Sequence, residues 1–231
     1  MIYYNDKIGQ NAITKHTRSD MRLTKEEKDA YLNYISDYLL QTGGDRPGEP
    51  NQGFRSRIAH TKRVLEWSEI LREGYELEEN VMELAILFHD AGYLQTEKKE
   101  HGIRSATLFE EFGLKQRFEP ALMKRVSEMI LLHVNKKALK SDLPMETILF
   151  LESDLMDEEG AMLIAWDCMV AGRRGATDFL DAYHQLEKFY QPVDNPMVTP
   201  KAIQIWEEKQ QLRKEFMSQL RRDLFVNKNR P

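Results

Sequence analysis

The sequence predicts an all-α fold. Three observations carry this. Apolar residues recur at three- and four-residue spacing in segment after segment, no run of five or more residues alternates convincingly as a half-buried strand would, and glycine and proline fall at the segment ends. Residues 1–22 lack helical periodicity and read as an extended or poorly ordered arm. Over 24–40, Tyr31, Tyr34, Ile35, Tyr38 and Leu39 form one stripe, with Glu26 and Glu27 in the first turn. The stretch Gly43-Gly44-Asp45-Arg46-Pro47-Gly48-Glu49-Pro50 is a loop. Further helices are expected at 55–73, 78–90, 100–113, 119–135, 145–156, 159–171, 177–190 and 199–224, punctuated by Gly74, Gly92, Gly113, Pro144, Gly172, Gly175 and the Pro192/Pro196 pair.

Two of these helices read as central. Residues 81–88 are apolar on nearly every side, and so are 161–170, where Cys168 is expected as a small core residue. A helix apolar all round is one wrapped by others. The last helix is amphipathic, with Leu212, Phe216 and Leu220 expected inward. The organisation predicted is an arm, helix and loop over 1–50, a helical domain carrying the chemistry over 51–191, and a C-terminal helical extension over 192–231 packed on that domain.

With 231 residues, 41% of them hydrophobic and 31% charged, the chain can bury one sizeable core. Its 33 Lys+Arg against 38 Asp+Glu give a net charge of −5, which disfavours a nonspecific nucleic-acid binder driven by phosphate neutralisation. The single cysteine excludes an intrachain disulfide framework and a Cys-rich zinc module. No segment offers the roughly 18 uncharged apolar residues of a membrane span, and the polar start lacks the apolar core of a signal peptide. A cytoplasmic protein is expected, with a homodimer left open.

Four histidines sit at telling places. His60 extends the stripe Val64, Trp67, Leu71; His101 opens Ser105, Leu108, Phe112; and His133 closes Leu122, Val126, Met129, Ile130. His89 and Asp90 end the apolar helix before Gly92 releases the chain, and Asp154 shares a face with Phe150, Leu151 and Leu155. A lone inward histidine is more often a hydrogen-bonded core residue than a ligand. An ionised carboxylate turned inward, however, costs several kcal/mol unless it is paired or metal-bound. Imidazole and carboxylate together are a ligand set for Fe, Mn, Zn, Ni or Co, or for Mg if waters complete the shell. His16, in the polar arm, and His184, on a surface-like helix, are expected outside the site. Phe54 and the tyrosines near the N-terminal loop, and the Gly172-Arg173-Arg174-Gly175 turn, read as packing and capping rather than as ligand contacts.

The order His60, His89-Asp90, Asp154, all on helices, resembles the HD-domain superfamily of metal-dependent phosphohydrolases. The resemblance is local as well. Ile58-Ala59-His60-Thr61-Lys62-Arg63-Val64 is similar to the first histidine helix. Leu84-Ala85-Ile86-Leu87-Phe88-His89-Asp90-Ala91-Gly92-Tyr93 is similar to the signature at the end of a buried helix, and the segment from Ile148 to Asp157 to the aspartate helix. It covers about 55–172 and is not specific for a substrate. The resemblance implies that His60, His89, Asp90 and Asp154 hold one metal, and that Asp90 bridges to a second held by His101 and His133. Asp90, His101 and His133 are then the catalytic candidates. In the mononuclear alternative His101 and His133 contact substrate or transfer protons.

The resemblance further implies a hydrolase that attacks a nucleotide or other small phosphorylated metabolite with metal-activated water. Arg63 and Arg104 each lie three residues after a presumed ligand, and Lys136 and Lys137 lie just beyond His133, so these four are the candidate phosphate anchors. Lys98, Lys99 and Glu100 are candidate proton donors, and Asp157 could orient a ligand or face solvent. A second class stays open: some HD-fold proteins with a similar ligand set hold two irons and use dioxygen to cleave a carbon bond.

Overall fold

Helices form where the periodic segments lie. The computed structural model describes residues 22–44, 56–94, 100–190 and 194–226. Its helices are α1 (Lys25–Thr42), α2 (Arg57–Leu71), α3 (Glu79–Phe88), α4 (His101–Gln116), α5 (Pro120–His133), α6 (Met145–Asp157), α7 (Ala161–Arg173), α8 (Phe179–Phe189) and α9 (Pro200–Leu224). There is no strand among the described residues, and no helix there is long and apolar enough to cross a membrane. The arm with His16, most of the 43–50 loop, Phe54, Lys98 and Lys99 lie outside the described residues. The described residues divide into two compact units, one drawn from 1–44 and 77–134 and the other from 45–76 and 135–231.

The first unit holds α1, α3, α4 and α5. Thr24 caps α1 through a reciprocal box: its hydroxyl accepts from the Glu27 N–H, and the Glu27 carboxylate accepts from the Thr24 N–H. Gly43, with φ of 77°, ends the helix in the left-handed region. Every residue of α3 from Asn80 to Phe88 is buried, as its all-round apolar pattern requires. Within it, Glu83 is the exception that the pattern does not foresee. Its carboxylate is satisfied by the Leu23 N–H at 2.8 Å and the Lys28 ammonium at 2.7 Å, which ties α3 to the start of α1. Phe88 meets Phe109 and Phe112 of α4 edge-on or tilted at 5.2 and 5.0 Å, and Tyr31 and Tyr34 of α1 close on Phe112.

The second unit holds α2 and α6–α9. Ser56 caps α2, which packs against α6. Glu152, fully buried on α6, accepts from the Val198 and Thr199 N–H groups and the Thr199 hydroxyl, each at 2.7 Å, and so anchors the chain entering α9. Burial pushes its carboxyl upward, against the pull of those hydrogen bonds.

Two expectations fail here. α7 is not wrapped: Ala171 is its one buried residue, Met162 and Met169 are 46% and 38% exposed, and Cys168 is exposed rather than in the core. Its neighbours α8 and α9 cover only part of its circumference. On α9 the expected inward stripe holds at Phe216 and Leu220, both half-buried, but not at Leu212. Leu212 is exposed, whereas Arg213 is buried, stacked over the Tyr190 ring at 4.5 Å and paired with Glu159 at 3.0 Å. A guanidinium can pack its flat face on a ring while its edge meets a carboxylate, and so takes the inward place.

Candidate metal-binding clusters

In the first unit a latch at the end of α3 sets the geometry. Gly92 approaches α4 so closely that a Cβ there would lie 2.4 Å from the Ser105 nitrogen. Its N–H donates to the Ser105 hydroxyl at 2.9 Å, and its carbonyl accepts from Arg104 Nε at 2.8 Å. The turn carrying Asp90 is thereby held against the start of α4, where His101 lies. Asp90 Oδ1 is 3.4 Å from His101 Nε2 and 3.7 Å from His133 Nε2, and the two imidazole Nε2 atoms are 2.9 Å apart. His89, Asp90 and His133 are buried, and His101 is partly exposed.

The tautomers suit metal ligation. His89 Nδ1 donates to the Ile86 carbonyl at 2.7 Å and His133 Nδ1 to the Ile130 carbonyl at 2.5 Å, each one helical turn back. With Nδ1 protonated, the neutral ring keeps its Nε2 lone pair for an acceptor role. Asp90, His101 and His133 together offer three donor atoms within 4.8 Å of one another, a set a divalent ion could join.

In the second unit His60, Asp154 and Glu158 form a comparable group. His60 Nε2 lies 3.1 Å from Asp154 Oδ1, and His60 Nδ1 lies 2.6 Å from Asp157 Oδ2. Asp157 also receives Arg63 Nε at 2.6 Å and Nη2 at 3.0 Å. Burial alone would raise the Asp157 carboxyl, but the hydrogen bonds from His60 and Arg63 outweigh it and hold it at about 2. Asp157 therefore stays ionised and orients His60. On the other side Lys136 Nζ sits 2.5 Å from Asp154 Oδ2 and 3.6 Å from Glu158, so an ammonium supplies positive charge to this carboxylate pair. Lys136 is itself 42% exposed and can withdraw. A buried imidazole and carboxylate that recruit a cation fit a divalent metal.

The phosphate-anchor candidates fare unevenly. The Arg63 fork is engaged by Asp157, and Arg104 holds the Gly92 carbonyl with Glu100 3.6 Å away. Both act on the protein's own groups. Lys137 is exposed, and its N–H donates to Asn135. Glu100 is exposed at the N-terminal end of α4, and His184 is exposed on α8. Sequence reasoning left Asp157 undecided and missed Glu158. The available signal was the i, i+3 spacing of Asp157 from Asp154, which puts both carboxylates on one face of α6.

A family model, the HD domain, matches residues 57–167. The chain carries an HD domain. Among curated proteins none matches it. In fold it is similar to the Lin1889 protein of Listeria innocua, with a TM-score of 0.61 and 20% identity over 88% of this chain and 99% of that one. It is also similar to Bacillus subtilis YpgQ, at 0.60 and 21% over 87% and 96%. YpgQ has also been solved in complex with ADP, and that structure matches at 0.55 and 21% over 86% and 95%. An HD-superfamily hydrolase of Bacillus thuringiensis matches at 0.58 and 17% over 87% and 97%. The HD domain here is all-α, and its histidines and aspartates form groups that could hold a metal.

Proposed function

We propose that this HD-domain protein is a metal-dependent phosphohydrolase acting on a nucleotide or other small phosphorylated metabolite. The observation that carries the reading is the convergence of Asp90, His101 and His133, with His133 Nδ1 tied to a backbone carbonyl so that Nε2 is left for a ligand. The ADP complex of the fold neighbour YpgQ supports a small phosphorylated ligand.

The ligands are those of the sequence pattern: His60, His89, Asp90, His101, His133 and Asp154, holding two divalent ions. When bound, such ions supply hydroxide near neutral pH and offset the charge that develops on phosphorus. The chain's own residues do the rest. Ile86 and Ile130 carbonyls fix the rings of His89 and His133, Asp157 fixes that of His60, and the Gly92 latch holds Asp90 beside His101. Lys136, exposed at the protein surface, is the cation best placed to leave Asp154 for a phosphate oxygen.

The test is to strip the protein with chelator, add back Mn, Co, Zn, Ni, Fe or Mg singly, and assay phosphate or pyrophosphate release from nucleotides and phosphate esters. Metal-restored release, abolished in Asp90→Ala, is expected. Absence of release with every metal would overturn the reading, and oxygen uptake by the iron-loaded protein would replace it with the oxygenase class.

A further inference from the structure

The apolar surface that α7 leaves uncovered is indented. A cavity of about 310 Å³ lies within the second unit, walled by Leu155, Met162, Leu163, Trp166 and Met169. Asp157 and Glu158 also line it, and Glu158 belongs to the His60–Asp154–Glu158 group, so the cavity runs on from a candidate metal cluster.

Its size and lining select a ligand. Small-molecule pockets span roughly 300–1,000 Å³, so this one receives a ring-sized group rather than a whole nucleotide. The described lining holds four carboxylates, those of Asp157, Glu158, Glu159 and Asp167, and no lysine or arginine. Arg63 and Arg213 offset Asp157 and Glu159 from outside it, so the lining offers a phosphate no cation while Glu158 and Asp167 keep it acidic. An indole and two thioethers offer a flat, polarisable wall of the kind an aromatic ring stacks on. Carboxylates accept hydrogen bonds from exocyclic amines and sugar hydroxyls. A quaternary ammonium is best held by a cage of several rings, whereas Trp166 is the one aromatic residue in this lining.

We propose that this cavity receives the base of a nucleotide substrate, an amino-bearing base in preference to uracil, while the phosphates lie toward the His60–Asp154–Glu158 cluster. The proposal rests on the phosphohydrolase reading and narrows its substrate class.

Calorimetric titration of the metal-free full chain with adenosine, uridine and choline tests it. Adenosine should bind, and more tightly than uridine. Trp166→Ala should weaken adenosine about 5- to 150-fold, the range for loss of one base–aromatic stack. Ala165→Phe should do the same by filling the cavity from an exposed helix position that packing does not need. In the metal-loaded protein both variants should lower the ratio of kcat/KM for ATP to that for tripolyphosphate. Adenosine binding that is undetectable, or equal in parent and both variants, overturns the proposal, as does binding of choline in its place. Adenosine binding requires neither metal nor turnover. A parent that binds adenosine yet hydrolyses nothing supports the cavity and refutes the phosphohydrolase reading; one that hydrolyses tripolyphosphate without binding adenosine refutes the cavity alone.

Discussion

His60 and Asp157 share a hydrogen bond of 2.6 Å between Nδ1 and Oδ2, across 97 residues of sequence. Asp157 accepts the hydrogen bond from Nδ1–H and so fixes the ring with Nε2 turned toward Asp154 at 3.1 Å, the atom a bound metal would take. Replacing Asp157 by Asn keeps a hydrogen-bond acceptor but removes the charge. Loss of such an orienting carboxylate typically costs 10- to 100-fold in metal affinity. Competition with a chromophoric chelator should show a drop of that order for one metal in Asp157→Asn, with helical content unchanged by circular dichroism. Equal affinity in parent and variant would reduce Asp157 to a structural partner of Arg63.

The same carboxylate makes a pH prediction. Asp157 is held at about 2 in the folded protein, against an ordinary value of 3.8. A depressed carboxylate stabilises the fold above the ordinary value and loses that contribution as pH falls through the folded one. The metal-free protein should therefore lose on the order of 2 kcal/mol as pH drops from about 4 toward 2. Urea denaturation at stepped pH should show this fall, and Asp157→Asn should flatten it. A parent and variant with parallel profiles would assign acid sensitivity elsewhere.

Nuclearity can be read from stoichiometry. His101→Ala and His133→Ala each remove a donor from the Asp90 cluster, so metal content measured by elemental analysis should fall from about two per chain toward one. Parent-like content in both variants would assign these histidines to substrate or proton transfer.

Lys136 offers a prediction of opposite sign. Its ammonium pairs with Asp154, which is also a proposed metal ligand. Lys136→Gln should raise affinity for divalent metal by removing the competing cation, and at the same time raise KM for the phosphorylated substrate. Weaker metal binding in this variant would mean that Lys136 buttresses the cluster instead.

Glu83 tests the first unit's packing. Glu83→Ala leaves the Leu23 N–H and the Lys28 ammonium without their buried acceptor. The cost expected is about 2–3 kcal/mol, or about 4–12 °C in Tm for a chain of this size. A shift under 2 °C would show that water satisfies those groups.

The sequence by itself determined the helices, within a few residues at each end, and the residues worth suspecting. Both are local properties: the 3.6-residue period and the Gly and Pro breaks need no knowledge of neighbours, and the His60, His89-Asp90, Asp154 order is visible in the text. Tertiary structure decided what covers each face and what each charge meets. α7 and α3 carry the same all-round apolar pattern, yet α3 is buried throughout and α7 mostly exposed, because burial depends on how many partners surround a helix. Leu212 and Arg213 exchange the places hydropathy assigns them, since a ring and a carboxylate distant in sequence satisfy the guanidinium. Arg63 shares a face with His60, as its spacing requires, but its fork closes on Asp157, 94 residues away. Helical spacing places a side chain on a face; only the fold brings a remote charge opposite it, and at an ion pair's length of about 3 Å that partner decides its role.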